Sequence, residues 1–575
     1  MHFWREGNII KTDPVDFPVQ HLGGVGNVFF TRMKEHGQKI AQIDADRDQT
    51  DTFSSLLQRS IRTAIALSKR GIKRGDIVTG CSNNHLDACV PILASFFLGA
   101  VPCSLDPALS KFEMQELVSQ VRPKIVFAIE ECVGEMERCL GEANLDSEIV
   151  VFGEKHPEHS SFSEFLLEQE DEETFKPIFV ENPKDTAIIY FSSGTSGFPK
   201  GVCINHHYFY NSSPLVPPAK NDDVDKERQL YEMNVRKGVC TSFLNYGSMY
   251  WNSAGMGLFL SAITGVSRLL SSNFDASKFW YLIDRYKVSG GFLTPFQVTE
   301  LVKYGKPKDV ECSTLLRLAT GGAALSKKYF FALQDLLPNT DIIPTYGQTE
   351  VGVLASFQMH NKTQRELYKK NPETVGLPVR GVWYKVVDPE TEEILGPNRP
   401  GELRVKSITI MNGYYNKDFS NRYDQDGWFR TGDVIKYDED CYFYVVDRLK
   451  EMLKYRGWHI PPAILELELS HHPAVRQSVV IGQKHEEDGD HPMAIVILDE
   501  QYKGKTTPEE IVRYIDERVQ DKQRLRGGVK FVDKIPLTPS GKVKRKELKR
   551  IFCNDERCYL RQNICQNCNC TENNS

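Results

Sequence analysis

Long apolar runs are missing from this chain of 575 residues. The longest, Met256 to Leu270, is short of a membrane span and is broken by Gly257, Gly265 and Arg268, which excludes a bilayer-crossing helix there. The opening residues, Met1-His2-Phe3-Trp4-Arg5-Glu6-Gly7-Asn8, hold no apolar core of signal-peptide length, and the final Asn574-Ser575 is not a Ser-Lys-Leu-type address. The expectation is a soluble, cytoplasmic protein. A large excess of either charge is also absent: a net charge of -6 is no polyelectrolyte, so nucleic acid is not expected as a partner. Nor is there a disulfide framework. Nine of the 14 cysteines are scattered through the body, most in apolar surroundings such as Val78 to Val90, which suits reduced thiols. Cys553, Cys558, Cys565, Cys568 and Cys570 fall in a polar C-terminal stretch. The spacing Cys565-x2-Cys568-x-Cys570 could take a soft metal, but no second pair or histidine completes a zinc frame, and a disordered tail with reactive thiols is expected.

What is present is an ordinary globular composition, 40% hydrophobic and 26% charged, in a chain too long for one core, so two or more domains are expected. Phe53 to Gly71 places Leu57, Ile61, Ala64, Ile65 and Ser68 on one helical face, with Gly71 as the stop. Asp76 to Gly80 reads as a strand, His85 to Leu98 as a helix, and Val101 to Ser104, Lys124 to Ile129 and Glu148 to Phe152 as further strands. Strands alternating with helices predict a parallel sheet covered on both faces. The acidic run Glu168 to Glu173 reads as a solvated loop. Ser212 to Lys237, charged and without periodicity, reads as a surface insertion.

The chemistry begins at Tyr190 to Val202, Tyr-Phe-Ser-Ser-Gly-Thr-Ser-Gly-Phe-Pro-Lys-Gly-Val. The apolar Ala187 to Phe191 predicts a buried strand, so the loop emerges at a strand's carboxyl end, where open α/β sheets place ligands. Gly194 and Gly197 let backbone approach closely, Ser192, Ser193, Thr195 and Ser196 add donors, and Lys200 adds a charge. A phosphate chain is the natural guest. The run is not a Walker loop, because Pro199 and Gly201 stand where that pattern needs glycine and a hydroxyl residue.

This run resembles the phosphate loop of the adenylate-forming superfamily, which contains acyl-CoA synthetases, 4-coumarate-CoA ligases, beetle luciferases and the adenylation domains of peptide synthetases. Other motifs of that family follow in order. Leu318 to Leu325, with Gly321, Gly322 and Ala323, resembles a wall of the adenine and acyl pocket, although the family often has proline where Ala324 stands. In Thr345-Tyr346-Gly347-Gln348-Thr349-Glu350, a flat Tyr346 suits stacking on a purine, the Thr349 hydroxyl an α-phosphate, and the Glu350 carboxylate Mg2+. Gly401 to Val405 and Gly413-Tyr414-Tyr415-Asn416 look like the family's small β subdomain. The resemblance implies that Asp433 accepts from the ribose hydroxyls, that Arg448 contacts ribose and phosphate, and that Lys450 is the hinge of a small C-terminal domain. Lys454 and Gly457 match positions used in a thioester-forming orientation, Gly457 where pantetheine passes. Lys542, after the turn-forming Pro539-Ser540-Gly541, matches the lysine that bridges carboxylate and α-phosphate during adenylation. His206 follows Gly201 at the family's spacing and, with Tyr250 and Trp251, is a candidate for the acyl pocket; a helix-opening histidine and two core aromatics are the plainer alternative.

The resemblance covers roughly residues 53–551. It implies an α/β fold: a large N-terminal AMP-binding domain (1–449) of helix-flanked parallel sheets with a small β subdomain, a mobile α+β domain (450–552) with strands near Ser478 to Ile481 and Ala494 to Leu498 and a helix near Thr507 to Val519, and a tail (553–575). It also implies a ligase that activates a fatty or aromatic acid with ATP and Mg2+ and passes it to CoA. Two alternatives are a luciferase-like oxidation of the adenylate by O2 and a silent acyl- or nucleotide-binding protein. The region Phe243 to Trp251 lacks the His-His-Gly-Phe-Gly run of beetle luciferases, and the presence of Glu350, Asp433 and Lys542 argues against lost chemistry.

Overall fold

Helix Phe53–Lys69 shows how the large unit is laid down. Thr52 caps it by accepting the Ser55 N–H at 3.1 Å, and Gly71, at φ +80°, turns the chain out of it. Leu57, Ile61, Ala64 and Ile65 are buried as their spacing requires, while Ser68 is exposed. The structure is a computed structural model that describes residues 3–14, 23–192, 200–211, 242–323, 325–357, 366–368, 371, 373–456, 458–538 and 542–553. The insertion read at Ser212 to Lys237 and the tail cysteines after Cys553 lie outside the described residues.

Strands Ile77–Cys81, Val101–Leu105, Ile125–Ala128 and Glu148–Val151 form where the apolar runs predict them. The helix expected from His85 begins only at Val90. Residues 85–89 turn instead, because the His85 ring accepts the Asp87 N–H at 3.2 Å and bonds Ser82 Oγ at 2.7 Å, local partners that compete with helix formation. The acidic run 168–173 is likewise not wholly solvated: Glu172 receives two Arg62 hydrogen bonds, one at 2.9 Å, with its side chain 15% exposed.

The chain divides into two compact units. The first comprises Met1–Arg399, Leu403–Thr431 and Tyr437–Tyr444; the second comprises Pro400–Glu402, Gly432–Lys436 and Val445–Ser575. In the first, one eight-stranded sheet sets Thr186–Ser192, Val101–Leu105, Ile77–Cys81, Ile125–Ala128 and Glu148–Val151 side by side in parallel. Lys200–Asn205 and then Gly413–Tyr414 add antiparallel strands beyond Thr186–Ser192. A nine-stranded sheet has a parallel centre of Ser267–Leu270, Ser242–Asn245, Gly290–Leu293, Arg317–Gly321 and Asp341–Gln348. Its core gathers around the fully buried Trp280. The cysteines facing the first sheet's core are free and buried, and burial pushes the Cys103 thiol up to about 12, which leaves it almost without thiolate at neutral pH. Where helix Asn252–Thr264 crosses strand Thr186–Ser192, the Tyr190 hydroxyl lies so close to Gly255 that a Cβ there would sit 1.7 Å from it. Among the described residues no helix is long and apolar enough to cross a membrane.

A six-stranded sheet holds Val382–Val387 and Gly401–Ser407 at its centre. It is pinned by a buried charge cluster. Asp424 accepts from Lys385 Nζ at 2.7 Å and Arg404 Nη1 at 3.3 Å, and from the Trp428 N–H at 2.9 Å; the three charged side chains are 5%, 6% and 1% exposed. In the second unit, Gly489–Leu498 lies between Val475–His485 and Leu453–Tyr455, with Gly528–Phe531 running parallel to it. The expected strands are present but longer, and the expected helix is Pro508–Asp516. Arg545 ties the last helix down through Val480 O at 2.6 Å and Glu466 Oε2 at 2.9 Å.

Asp424 sets a pH dependence. Burial pushes its carboxyl up, but the bonds from Lys385, the Trp428 N–H and Arg404 outweigh that and hold it below the usual carboxylate range. A depressed folded value means stabilisation that is complete above the unfolded pKa of about 4 and is lost as pH falls through the folded one. Asp424→Asn should therefore lower the unfolding free energy at pH 7 by about 3 kcal/mol. Urea denaturation of both proteins should show a gap that is constant above about pH 5 and narrows in acid.

Candidate active site

Strand Thr186–Ser192 buries Ala187 through Phe191 and delivers Ser192 at its end. The chain returns as strand Lys200–Asn205, antiparallel, with Ser192 opposite Lys200, so the glycine- and hydroxyl-rich segment joins two paired strands. Ser193, Gly194, Thr195, Ser196 and Gly197 themselves lie outside the described residues. The base of the return strand is fixed by the Gly201 N–H, which donates to Gln120 Oε1 at 2.7 Å.

The second segment comes from the other large sheet. Strand Asp341–Gln348 folds back on Gly352–Ser356, and the turn between them carries Thr349 and Glu350, both half-buried. Glycine is required at 347, because a Cβ there would lie 2.4 Å from the Gly352 carbonyl oxygen. Glu350 Oε1 then accepts two hydroxyls, Ser192 Oγ at 3.1 Å and Tyr414 OH at 3.0 Å, from two different segments. Lys200 Nζ stands 4.8 Å from the centre of the same Tyr414 ring.

Positive charge accumulates around this carboxylate. Burial lowers the Lys200 pKa, and the neighbouring cations Lys417 and Arg422 lower it further, against the pull of Glu350. The Arg422 guanidinium lies 5.0 Å over Phe429, and its Nε is buried without an acceptor among the described residues. Mutually repelling cations beside a donor-rich hairpin loop suit a polyanion, whose charge would relieve the repulsion.

The pocket wall read at 318–325 forms as strand Arg317–Gly321 with Gly322 at φ +88° after it; Gly322 and Ala323 are exposed. Tyr346 is 9% exposed, and Gln348 is spent on structure, its amide donating to Thr431 O at 3.0 Å. In the second unit Asp433 and Arg448 meet, with Nε 3.1 Å from Oδ1 and the Asp433 side chain 4% exposed. The Leu449 N–H to Gly432 O bond, 2.9 Å, holds the two segments in register. Lys450 follows in a turn, with its pKa lowered by burial and by Arg448. Lys454 is exposed on strand Leu453–Tyr455, and Gly457 lies outside the described residues. Lys542 is exposed; Leu537 and Val543 form a bridge, and the Thr538 N–H donates to Lys542 O at 2.6 Å, while Pro539, Ser540 and Gly541 lie outside the described residues.

Three acyl-pocket candidates have other employment. His206 is buried and its Nδ1 accepts the Val25 N–H at 3.1 Å, capping the start of helix Val25–His36; burial lowers its pKa to about 4, so it is neutral. Tyr250 stacks on Phe191 at 5.9 Å within the sheet core. Trp251 Nε1 donates to Asp106 Oδ2 at 3.0 Å, an oxygen that also takes the Ser248 hydroxyl at 2.7 Å. The sequence reading placed Tyr414 only in a small β subdomain motif and not beside Glu350, and it missed Lys417, Arg422 and Asp106. These three carry no signal, being isolated residues brought in by long-range pairing.

Residues 29–415 match the model for AMP-binding enzymes, and 465–542 match that for the AMP-binding enzyme C-terminal domain. The chain belongs to the AMP-binding enzyme family. This AMP-binding enzyme is 30% identical over 522 residues to 4-coumarate–CoA ligase 1 of Petroselinum crispum, covering 90% of this chain and 92% of that one. It is 28% identical over 561 residues to luciferin 4-monooxygenase of Photinus pyralis, covering 94% and 97%. Among solved structures it is similar to the luciferase-like enzyme from the nonluminescent Zophobas morio mealworm, with 34% identity and a TM-score of 0.69 over 78% of this chain and all of that one. ATP-bound MatB from Rhodopseudomonas palustris shares the fold, with a TM-score of 0.76 at 22% identity over 92% and 99%.

If Trp251 is a core residue of this AMP-binding enzyme, Trp251→Phe should destabilise it by about 1.5–3 kcal/mol, the worth of a hydrogen bond to a charged group. The KM for the acid substrate should stay unchanged. Thermal unfolding and acid-dependent kinetics check this together; a shifted KM at unchanged stability would return the side chain to the pocket.

Proposed function

We propose that the chain is an acid–thiol ligase that uses ATP to convert a fatty or aromatic carboxylic acid first to its adenylate and then to its CoA thioester. The reading is carried by the Glu350 carboxylate, held by Ser192 and Tyr414 beside Lys200, in an AMP-binding enzyme. In the first step a carboxylate oxygen attacks the α-phosphorus, a P–O bond forms, and the bond to the leaving pyrophosphate breaks. Catalysis of such a displacement is in-line positioning plus neutralisation of charge. Lys200 and Arg422 serve the phosphate chain, Thr349 holds the α-phosphate, Asp433 and Arg448 take the ribose, and Lys542 bridges carboxylate and α-phosphate. In the second step the CoA thiolate attacks the acyl carbon and AMP leaves; Lys454 and Gly457 serve this step, and Lys450 is the hinge between the two.

Mg2+ fits the residues present. A carboxylate with one oxygen fixed by two hydroxyl donors, next to the Thr349 hydroxyl, is a hard oxygen set of the kind that binds Mg2+ together with substrate phosphates. Glu350 would hold the ion, which when bound neutralises phosphate charge.

Lys542→Ala separates the steps. Adenylation, followed as acid-dependent pyrophosphate release, should fall about 10^2- to 10^3-fold, the cost of losing one donor matched to developing charge. Thioester formation from synthetic acyl-adenylate and CoA should remain. An equal loss in both halves would remove Lys542 from its assigned role.

The relatives include luciferin 4-monooxygenases as well as CoA ligases. Because Phe243 to Trp251 lacks the His-His-Gly-Phe-Gly run of beetle luciferases, a panel of fatty and cinnamic acids should give CoA thioesters with AMP released in step, and beetle luciferin with ATP should give little light. Efficient light emission with no thioester from any acid would overturn the ligase reading.

A further inference from the structure

The hairpin that joins strand Val475–His485 to strand Gly489–Leu498 carries the run His485-Glu486-Glu487-Asp488-Gly489-Asp490-His491. Its register sets His485 opposite Gly489 and His491 opposite Gln483, which brings both histidines to the hairpin's tip. Their rings stack with centroids 4.1 Å apart and planes 17° apart. Asp488 lies between them in sequence and in space: its Oδ2 is 2.8 Å from His491 Nε2 and 3.6 Å from His485 Nδ1. One donor atom from each of the three residues falls within 4.8 Å of the others. An ion about 2.0–2.2 Å from each ligand needs donor atoms only slightly more than 3 Å apart, so small side-chain rotations would close the set.

The surroundings favour the arrangement. Asp488 is oriented from its other side, where Oδ1 accepts Arg456 Nε at 2.6 Å and the backbone carbonyl accepts the Arg456 N–H at 2.8 Å. A ligating carboxylate braced by a partner on its second oxygen is the usual support of a metal site. Arg456 is itself 65% exposed, so its charge is screened, and the exposed Glu486 and Glu487 offset it. The Asp488 N–H to His485 Nδ1 bond, 3.3 Å, is long and would give way, leaving its donor at an exposed tip where water can replace it. The second stacked histidine pair of the chain does not converge in this way. His156 and His159 turn to separate carboxylates, Glu130 at 3.6 Å and Glu137 at 2.9 Å.

We propose that His485, Asp488 and His491 form a binding site for a divalent transition-metal ion of the zinc type. Two imidazoles and one carboxylate suit Zn2+ or Ni2+ rather than Mg2+, which prefers an all-oxygen shell, and three protein ligands leave a position for water. The site is distinct from the Mg2+ position at Glu350.

Calorimetric titration of the reduced full-length chain with Zn2+ tests it, in parallel with His485→Gln and the double variant His485→Gln/His491→Gln. The wild type should bind one equivalent more than the double variant, and zinc K-edge absorption should assign nitrogen and oxygen neighbours to that equivalent. The single variant alters an exposed side chain, so its fold is safe, and it should weaken that equivalent by about 10-fold or more. Equal stoichiometry and affinity in all three proteins would overturn the proposal, as would a sulfur shell for the equivalent that the variants lose. If the double variant fails to fold, the single variant decides: an unchanged affinity ends the proposal.

Discussion

Glu350 Oε1 joins three segments of the large unit through two hydrogen bonds. It accepts one hydroxyl from the end of a strand in the eight-stranded sheet and one from Tyr414, while its own backbone belongs to the nine-stranded sheet. A carboxylate oxygen with two hydroxyl donors is held in place by both. Two sheets with separate cores thereby share one fixed negative charge. Lys417 and Arg422 both act on Lys200 beside it, against the pull of Glu350. Cations gathered in this way suit the anionic substrate proposed above.

The groups proposed for chemistry fall in both units. Ser192, Glu350 and Lys200 belong to the large unit; the Asp433–Arg448 pair and the exposed lysines 454 and 542 belong to the second. Each group is built by local means that need only its own unit. The Asp433–Arg448 pair is set by adjacent backbone segments and their 2.9 Å bond, and Lys542 by its carbonyl, which accepts the Thr538 N–H. An enzyme that performs two different reactions on one acyl group gains from this separation, because the parts that change between steps can be built apart from those that do not.

What the sequence made legible was what is local. A strand leading into a glycine- and hydroxyl-rich segment and a 3.6-residue period from Phe53 onward depend on near neighbours, and their described parts formed as read; the turn read at Pro539-Ser540-Gly541 lies outside the described residues. The misreadings share a different cause. Residues 85–89 have the apolar content of a helix start, yet a histidine and a serine side chain supply the hydrogen bonds a helix would have supplied. His206, which follows Gly201 at the family's spacing, and Trp251 find partners, Val25 and Asp106, more than a hundred residues away, which no local pattern announces. Arg422 carries no local pattern at all. Its place near Lys200 follows from sheet pairing, which no window of sequence contains.

The contact between Tyr190 and Gly255 has a bearing on how this chain can change. Strand and helix meet there with a phenol oxygen in the space that any side chain at 255 would need, and the hydroxyl finds no acceptor among the described residues. The fit is one of shape alone. A lineage could enlarge residue 255 only after residue 190 had lost its ring or at least its oxygen, a first step that leaves a void to fill; the reverse order would begin with a clash. Strand Thr186–Ser192 also leads into the glycine- and hydroxyl-rich segment, so the order in which these two positions can vary limits the routes by which that end of the strand could be reshaped.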